Sequence, residues 1–133
     1  MDDEVVILSD SGGKGYDFAR GVYNCVLEKE DRDFHVHLVD VVRKTFPDTE
    51  YRMRIAENIR SKTCVFIHDP NKDAAVWFTD LALTLDAIKF SAPKAVSVVM
   101  PYMRFSRQDR KDESRVSLSA KCVAELISRY ADR

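Results

Sequence analysis

The apolar and polar positions of the N-terminal half predict strands and a helix in alternation. A short continuous apolar run at residues 5–8 is typical of a strand buried on both faces. Apolar residues at helical spacing over residues 15–27 predict an amphipathic helix. Alternating apolar and polar residues predict a second strand that begins at Phe34, and Val41 and Val42 either extend this strand or bend it. The same alternation predicts a half-exposed strand over residues 51–55. Residues 28–33 hold four acids and two bases and are expected to be a solvated connection.

The C-terminal half continues the alternation. Residues 63–67 predict a buried strand, and turn-forming residues 68–71 end it. Residues 73–90 predict a helix that Pro93 stops, and residues 95–100 predict another buried strand. A polar stretch over residues 101–116 precedes a last helix, which reaches Tyr130 and has Ser117 as its N-cap. The apolar face of the helix over residues 73–90 consists of Ala74, Phe78, Leu81, Leu85 and Ile88.

This order of elements predicts an α/β fold, a three-layer α/β/α arrangement around a mainly parallel sheet. The pattern shows no repeat and no linker, so residues 1–133 are expected to form a single domain. Parallel sheets bind ligands at the carboxyl ends of their strands. The candidate ligand-binding segments are therefore the loops after Leu8, Ile67 and Met100, together with the break at residues 46–50.

Composition narrows the class of protein. With 45% hydrophobic residues, 32% charged residues and four residues each of Gly and Pro, the chain is expected to be globular rather than disordered. No apolar run approaches the roughly 18–20 residues that span a bilayer, so no membrane partner is expected. The acidic start, residues 1–4, is unlike a targeting peptide, which predicts a cytoplasmic location. The net charge of −1 gives no reason to expect nucleic acid as a partner.

The cysteines and histidines give no metal site. Cys25, Cys64 and Cys122 are too far apart in sequence for a zinc-ligand pair, and each lies in an apolar setting, so three buried thiols are expected. His35 and His37 share a strand face, but no nearby third ligand completes a site. His68 is interpreted as a polar residue at a strand end.

The glycine-rich residues 11–15 allow two interpretations. They follow a strand and open a helix, the setting in which a helix N-terminus binds phosphate. Phe18 stands where the dinucleotide-binding fingerprint has its third glycine, and no Gly-Lys-Ser/Thr follows. A flexible turn between strand and helix is therefore favoured over phosphate binding.

Residues 101–112 are the strongest local signal for a ligand. They follow a buried strand and combine basic residues with Tyr102 and Phe105. Arginine binds phosphate through two parallel hydrogen bonds, and glutamine both donates to and accepts from a base edge. A solvated charged loop and a ligand-binding loop remain even alternatives on these residues alone.

The same segment resembles ribose-phosphate pyrophosphokinase (PRPP synthetase). Its residues 101–102, 107–112, 114–115 and 117–121 fit that family, and two further blocks agree in register over residues 46–60 and 80–92. The blocks read Pro101-Tyr102, Arg107-Gln108-Asp109-Arg110-Lys111-Asp112, Ser114-Arg115, Ser117-Leu118-Ser119-Ala120-Lys121, Phe46-Pro47-Asp48-Thr49-Glu50, Arg54-Ile55-Ala56-Glu57-Asn58-Ile59-Arg60, and Asp80-Leu81 through Ser91-Ala92. Two departures are the residues Arg104-Phe105-Ser106, where a small residue and Tyr-Ala are usual, and Thr49, where Gly or Asn is frequent.

The resemblance implies a fold, a reaction and a set of binding residues. The family consists of two type I phosphoribosyltransferase-like domains, of which this chain resembles the first, and transfers the diphosphoryl group of Mg-ATP to ribose 5-phosphate for nucleotide biosynthesis. The Arg-Gln pair of the family binds ATP, and an aromatic-x-acid-x-acid segment reaches ATP from a neighbouring subunit. The implied ATP-binding residues are Arg107, Gln108 and Asp112 with Phe46, Asp48, Thr49 and Glu50, and the implied regulatory phosphate or ADP residues are Asn58 and Arg60.

The family's magnesium segment, catalytic loop and ribose-phosphate loop have no counterpart before Arg133. We therefore expect no catalytic residue and no metal ligand in this chain, with Mg²⁺ entering together with ATP, and we expect residues 1–133 to be inactive alone. The resemblance also implies self-association, as a dimer here and a hexamer in the full-length family. Two alternatives are a non-catalytic regulatory or assembly homologue and a nucleotide-sensing α/β module.

Overall fold

A computed structural model describes residues 3–133, so Met1 and Asp2, the start of the acidic N-terminus, lie outside the described residues. The described chain alternates strands and helices as its sequence pattern predicts. In chain order the elements are β1 (Asp3–Ser9), α1 (Tyr16–Leu27), β2 (Phe34–Thr45), β3 (Tyr51–Ile55), β4 (Thr63–Ile67), α2 (Ala74–Phe90), β5 (Ala95–Val99) and α3 (Ser119–Ser128).

The strands of the described chain form a five-stranded sheet in the order β3-β2-β1-β4-β5. β1 lies parallel to β2 and β4, and β4 lies parallel to β5, whereas β3 lies antiparallel to β2. β2 changes partner along its length: residues 34–40 pair with β1 and residues 41–45 pair with β3. The β2–β3 hairpin therefore extends beyond the carboxyl end of β1.

Helices cover both faces of the sheet and bury two apolar clusters. On one face α2 and α3 pack Trp77, Leu81 and Val123 against Val6 and Leu8. On the other face α1 packs Ala19 against a second cluster of Ile7, Val36 and Ile67. Successive residues of β1 thus enter opposite layers, which explains its unbroken apolar run. This arrangement confirms the predicted three-layer α/β/α architecture with a mainly parallel sheet.

Two element boundaries differ from the sequence prediction, and one open alternative is settled. β2 is one continuous strand through Thr45, so Val41 and Val42 extend it, because its second half gains β3 as a partner where β1 ends. Ser117 does not cap α3: Leu118 occupies the N-cap position, and the Ser117 hydroxyl lies 3.1 Å from the Ser119 hydroxyl. α3 ends at Ser128, two residues before Tyr130.

The prediction of three buried thiols is wrong for two of them. Cys64 is fully buried between the layers, and this burial raises the pKa of its thiol to about 11. Cys25 and Cys122 are exposed. α1 and α3 are short helices that contact the sheet through narrow stripes, centred on Ala19 and Val123, and both cysteines lie beside those stripes. None of the helices within residues 3–133 is long and apolar enough to cross a bilayer.

Candidate functional site

A cavity of about 470 Å³ opens at the carboxyl end of β5, which we call the Arg107 cavity. The loop after β5 supplies most of its wall, and the first turns of α2 and α3 supply the rest. The parallel strand order brings these segments together, because β4 and β5 end side by side and each leads into one of the two helices. The lining residues are Ala74, Tyr102, Arg104, Phe105, Arg107, Gln108 and Ser119.

The electrostatics of the Arg107 cavity favour an anion. Arg107 is exposed and carries a permanent positive charge. The N-termini of α2 and α3 both reach the cavity, through Ala74 and Ser119, and helix N-termini present unpaired backbone N–H groups and a partial positive charge. No side chain caps α3. An anionic group bound here would contact Arg107 and lie beside the start of α3.

The loop after β5 is held over α2 by its aromatic residue. The Phe105 ring packs 6.2 Å from the Trp77 ring and 6.1 Å from the Phe78 ring. Phe105 adopts φ 68°, a left-handed conformation that is uncommon for a bulky residue and is found mostly at turns and functional sites. Arg104 donates to the carbonyl of Pro70 at 3.0 Å, which ties the loop after β5 to the loop after β4. These contacts fix the loop that presents Arg107.

Gln108 and Asp112 lie together on the outer side of the same loop. The Gln108 side-chain amide donates to the Asp112 carboxylate at 3.1 Å, and both residues line a second hollow of about 410 Å³. The backbone carbonyl of Gln108 accepts from the backbone N–H of Ala120, at the start of α3, at 3.2 Å. The structure thus brings three of the sequence-predicted residues, Arg107, Gln108 and Asp112, to one loop.

Residues 46–50 form the hairpin tip between β2 and β3. The Phe46 N–H donates to the Glu50 carbonyl at 2.7 Å, and the Thr49 N–H donates to the Phe46 carbonyl at 3.0 Å. The Asp48 carboxylate accepts from the Glu50 N–H at 3.1 Å. Thr49 adopts φ 75°, a conformation that Gly or Asn adopts at lower cost, so the turn geometry accounts for the usual residue at this position of the resembled family. Phe46 is exposed to 38%.

The hairpin tip and Arg107 do not meet within one chain. β3 and β5 are the two edge strands of the sheet, and β2, β1 and β4 lie between them. Adjacent strands lie about 4.8 Å apart, so the hairpin and the loop after β5 are separated by about 15–20 Å. The sequence-predicted nucleotide residues therefore fall into two groups, and one chain does not assemble both into a single site.

Asn58 and Arg60 lie at the opposite end of the sheet from Arg107. They follow β3, and the Asn58 side chain accepts from the Arg60 N–H at 3.0 Å while Ile59 between them is buried in the core. They line a cavity of about 700 Å³, the Arg60 cavity, together with Arg52 and Arg54 of β3 and residues at the end of α2. Phe90 also lines it and is exposed to 90%. Three guanidinium groups and an exposed ring suit a phosphate-bearing aromatic ligand.

The glycine-rich loop after β1 is a turn packed on an internal carboxylate. The Gly13 N–H donates to the Asp10 carbonyl at 3.0 Å. A Cβ atom at Gly13 or Gly15 would overlap the carboxylate of Asp69, which is almost fully buried after β4. Asp69 thus occupies the space in front of this loop that a bound phosphate would need, in keeping with the turn interpretation.

A group of charged and polar side chains around the buried Asp80 lies beneath the hairpin, and sequence reasoning missed it. We call Arg43, Tyr51, Lys72 and Asp80 the Asp80 cluster. Asp80 is 1% exposed and accepts from the Tyr51 hydroxyl at 2.7 Å, from the Lys72 ammonium at 2.6 Å and from the Arg43 guanidinium. Burial, followed by the hydrogen bond to Asp80, raises the pKa of Tyr51 to about 12, so its hydroxyl remains a donor at neutral pH.

The sequence does contain a signal for this cluster. Arg43 occupies the same strand face as Val39 and Val41, which are buried, so a charged residue stands in a core-facing position of β2. Asp80 stands in the apolar stripe of α2 between Trp77 and Leu81. A charged residue in such a position indicates that it has a polar partner, and the sequence pattern leaves the identity of that partner open.

His68 makes the stability of the fold depend on pH. Its ring lies between Phe66 and Trp77, and its Nε2 lies 2.8 Å from the Trp77 carbonyl. Burial lowers its pKa to about 4, below the 6.5 of an exposed histidine. Between these values the unfolded chain binds a proton that the folded chain does not. The free energy of unfolding is therefore expected to fall as the pH is lowered from about 6.5 towards 4, by up to about 1.4 kcal/mol per pH unit.

Urea denaturation at pH 7, 6 and 5 measures this dependence, with His68→Gln as the test variant and the exposed His37→Gln as its control. The free energy of unfolding should depend less on pH in His68→Gln, and it should keep its dependence on pH in His37→Gln. The same slope in all three proteins would rule out His68 as its source.

Comparisons with known proteins identify the family of the chain and agree with its fold. The family described as the N-terminal domain of ribose phosphate pyrophosphokinase matches residues 11–130. Ribose-phosphate pyrophosphokinase of Aquifex aeolicus is 37% identical over 116 residues, which cover 86% of this chain and 37% of that protein. The enzyme of the same name from Hyphomonas neptunium is 38% identical over 85 residues, 64% of this chain and 27% of that protein.

A crystal structure of phosphoribosylpyrophosphate synthetase from Mycobacterium smegmatis has a similar fold. It superimposes with a TM-score of 0.73 at 21% sequence identity, over 98% of this chain and 41% of that chain. The expected phosphoribosyltransferase-like α/β fold is therefore confirmed. The chain spans about a third of the length of the curated relatives it matches.

Proposed function

The chain belongs to the family of the N-terminal domain of ribose-phosphate pyrophosphokinase, and we propose that it is the ATP-binding part of an enzyme that makes PRPP. In the proposed reaction the diphosphoryl group of Mg-ATP is transferred to the 1-hydroxyl of ribose 5-phosphate, leaving AMP. Such a transfer depends mainly on positioning and on stabilising negative charge. This chain contributes the positioning of ATP.

The Arg107 cavity is the observation that carries the proposal. Arg107 supplies a permanent positive charge for the triphosphate, and the first turns of α2 and α3 line the same space. Gln108 offers both a donor and an acceptor for a base edge, and its contact with Asp112 restricts its orientation. A nucleotide is a ligand that requires both kinds of contact within one site.

The hairpin tip completes the proposed site of a neighbouring subunit. Phe46 provides an aromatic face on which adenine can stack, and Asp48 and Glu50 provide acceptors for its amino group. In its own chain the tip lies at the opposite edge of the sheet from the loop that carries Arg107. A two-fold dimer would place the tip of one subunit against the Arg107 cavity of the other. Self-association is thus part of the proposed function.

The Arg60 cavity is proposed as the regulatory phosphate or ADP site. It is lined by β3, the connection after β3 and the end of α2, and it shares no lining residue with the Arg107 cavity, so an anion bound there would not compete with ATP for space. Asn58 and Arg60 line it, and Arg52, Arg54 and Phe90 enlarge its cationic and aromatic surface. A phosphate-bearing effector fits this combination of groups.

Magnesium is proposed to enter as the complex with ATP. Within residues 3–133 no three His, Cys, Asp or Glu side chains come together as a metal-ligand set. Any protein ligands for Mg²⁺ are expected in the remaining two-thirds of a full-length enzyme.

The test compares this chain with a full-length enzyme that carries it as the N-terminal domain. With Mg-ATP and ribose 5-phosphate, the full-length enzyme is expected to release AMP in equal amount to PRPP, measured by anion-exchange chromatography. Residues 1–133 alone are expected to release none above background, because one domain does not hold both substrates.

Each other outcome of this test has a definite meaning. AMP release by residues 1–133 that requires ribose 5-phosphate would contradict the division of labour between domains. A full-length protein that binds ATP but transfers nothing would instead support the non-catalytic regulatory homologue.

A further inference from the structure

The Asp80 cluster joins three separate segments at the carboxyl end of the sheet. Asp80 belongs to α2, Tyr51 and Arg43 belong to the β2–β3 hairpin, and Lys72 belongs to the loop after β4. Lys72 also donates to the Asp10 carboxylate at 2.8 Å, which adds the loop after β1. The cluster therefore anchors the hairpin to a buried residue of α2.

Two members of the cluster flank the hairpin tip on either side. Tyr51 directly follows Glu50, and Arg43 precedes Phe46 by three residues. The Arg43 guanidinium also lies 4.7 Å above the Tyr51 ring, so the two legs of the hairpin contact each other and share Asp80 as acceptor. A carboxylate that binds both legs at once restricts the angle at which the tip leaves the sheet.

Burial of the Asp80 and Lys72 charges needs an explanation other than stability. Asp80 is 1% exposed and the Lys72 side chain is 9% exposed. Desolvation of a buried ion pair commonly offsets its attraction, and well-packed apolar residues often stabilise a fold as much. Directional hydrogen bonds, in contrast, fix relative orientation. The cluster thus suits a role in holding geometry.

We propose that Asp80 is a positioning residue that fixes the hairpin tip through Tyr51 and Arg43, so that the tip presents Phe46 at a constant angle to its ligand. The identity of that ligand, ATP in the site of a neighbouring subunit, rests on the proposed function. The holding of the tip by Asp80 does not, and it is tested separately.

Hydrogen exchange of the chain without nucleotide tests the holding of the tip. Tyr51→Phe removes only the hydroxyl that donates to Asp80. Backbone amides of residues 43–51 are expected to exchange about 10-fold faster in this variant, because a hydrogen bond to a buried carboxylate is lost, whereas amides of β1 and β4 keep their rates. Tyr130→Phe is the matched control: Tyr130 packs on the same apolar cluster, and its variant should leave residues 43–51 unchanged.

The double variant links this effect to Asp80. Tyr51→Phe should add little to the exchange rate of residues 43–51 in an Asp80→Asn background, because the hydroxyl has then lost its charged acceptor. Equal acceleration throughout the sheet, no acceleration in Tyr51→Phe, or full additivity of the two changes would overturn the proposal.

Steady-state kinetics test whether the tip held by Asp80 contributes to ATP binding. They require a full-length enzyme that carries this chain. Tyr51→Phe should raise KM for ATP several-fold and leave KM for ribose 5-phosphate and kcat within about twofold. Unchanged KM for ATP in an active enzyme would overturn the link between the tip and ATP. An inactive unmodified enzyme would count against the proposed function, whereas the exchange experiment would still decide the role of Asp80.

Discussion

Replacing Arg107 with alanine in a full-length enzyme that carries this chain is expected to lower kcat/KM for ATP by about 10- to 150-fold. Arg107 is the exposed cation of the cavity between the N-termini of α2 and α3. Loss of a charge-assisted hydrogen bond to phosphate costs about 1.5–3 kcal/mol, and each 1.4 kcal/mol corresponds to a factor of ten. Initial rates at varied ATP and saturating ribose 5-phosphate measure the effect.

Arg129→Ala provides the matched control for Arg107→Ala. Arg129 is also an exposed arginine, but it follows the last turn of α3 and does not line the Arg107 cavity. A surface substitution of this kind usually changes stability by no more than about 0.5 kcal/mol, and it should leave kcat/KM for ATP within about twofold. Equal losses in both variants would remove the assignment of Arg107 to the ATP site.

The layers of the fold follow from hydrophobic patterning because each element has one dominant environment. The apolar run of β1 lies between two helix layers, and the apolar stripe of α2 faces the sheet, so periodicity alone predicts both. The pattern fails where a helix contacts the sheet through a narrow stripe. Cys25 and Cys122 lie beside such stripes and are exposed, although their neighbours in sequence are apolar.

The candidate site was only partly predictable from sequence. Arg107, Gln108 and Asp112 are close in sequence, so their common loop was recognisable from one segment. The walls of the Arg107 cavity come from three distant segments, and the bond from Arg104 to the Pro70 carbonyl spans 34 residues. Contacts of that kind depend on strand order, which periodicity does not determine. The Asp80 cluster was missed for the same reason, because Arg43 and Asp80 belong to elements that become neighbours only in the folded sheet.

Mixing two inactive variants of a full-length enzyme that carries this chain is expected to restore part of its activity. Phe46→Ala removes the proposed adenine-stacking ring of the hairpin tip, and Arg107→Ala removes the proposed phosphate contact. The two residues lie near opposite edges of one sheet. If each site combines the tip of one subunit with the cavity of another, a mixed interface pairs an intact Phe46 with an intact Arg107 in one of its two sites.

Activity of the mixture relative to each variant alone measures this restoration. Random exchange of equal amounts of subunits makes half of all dimers mixed, and one of the two sites in each mixed dimer is intact. Because each subunit of a two-fold dimer contributes the same surface, recovery should approach about a quarter of the activity of the unmodified enzyme. Subunit exchange is verified independently by native mass spectrometry. Exchange without recovery would mean that Phe46 serves its own chain or no site, and the proposed sharing of the ATP site between subunits would then be wrong.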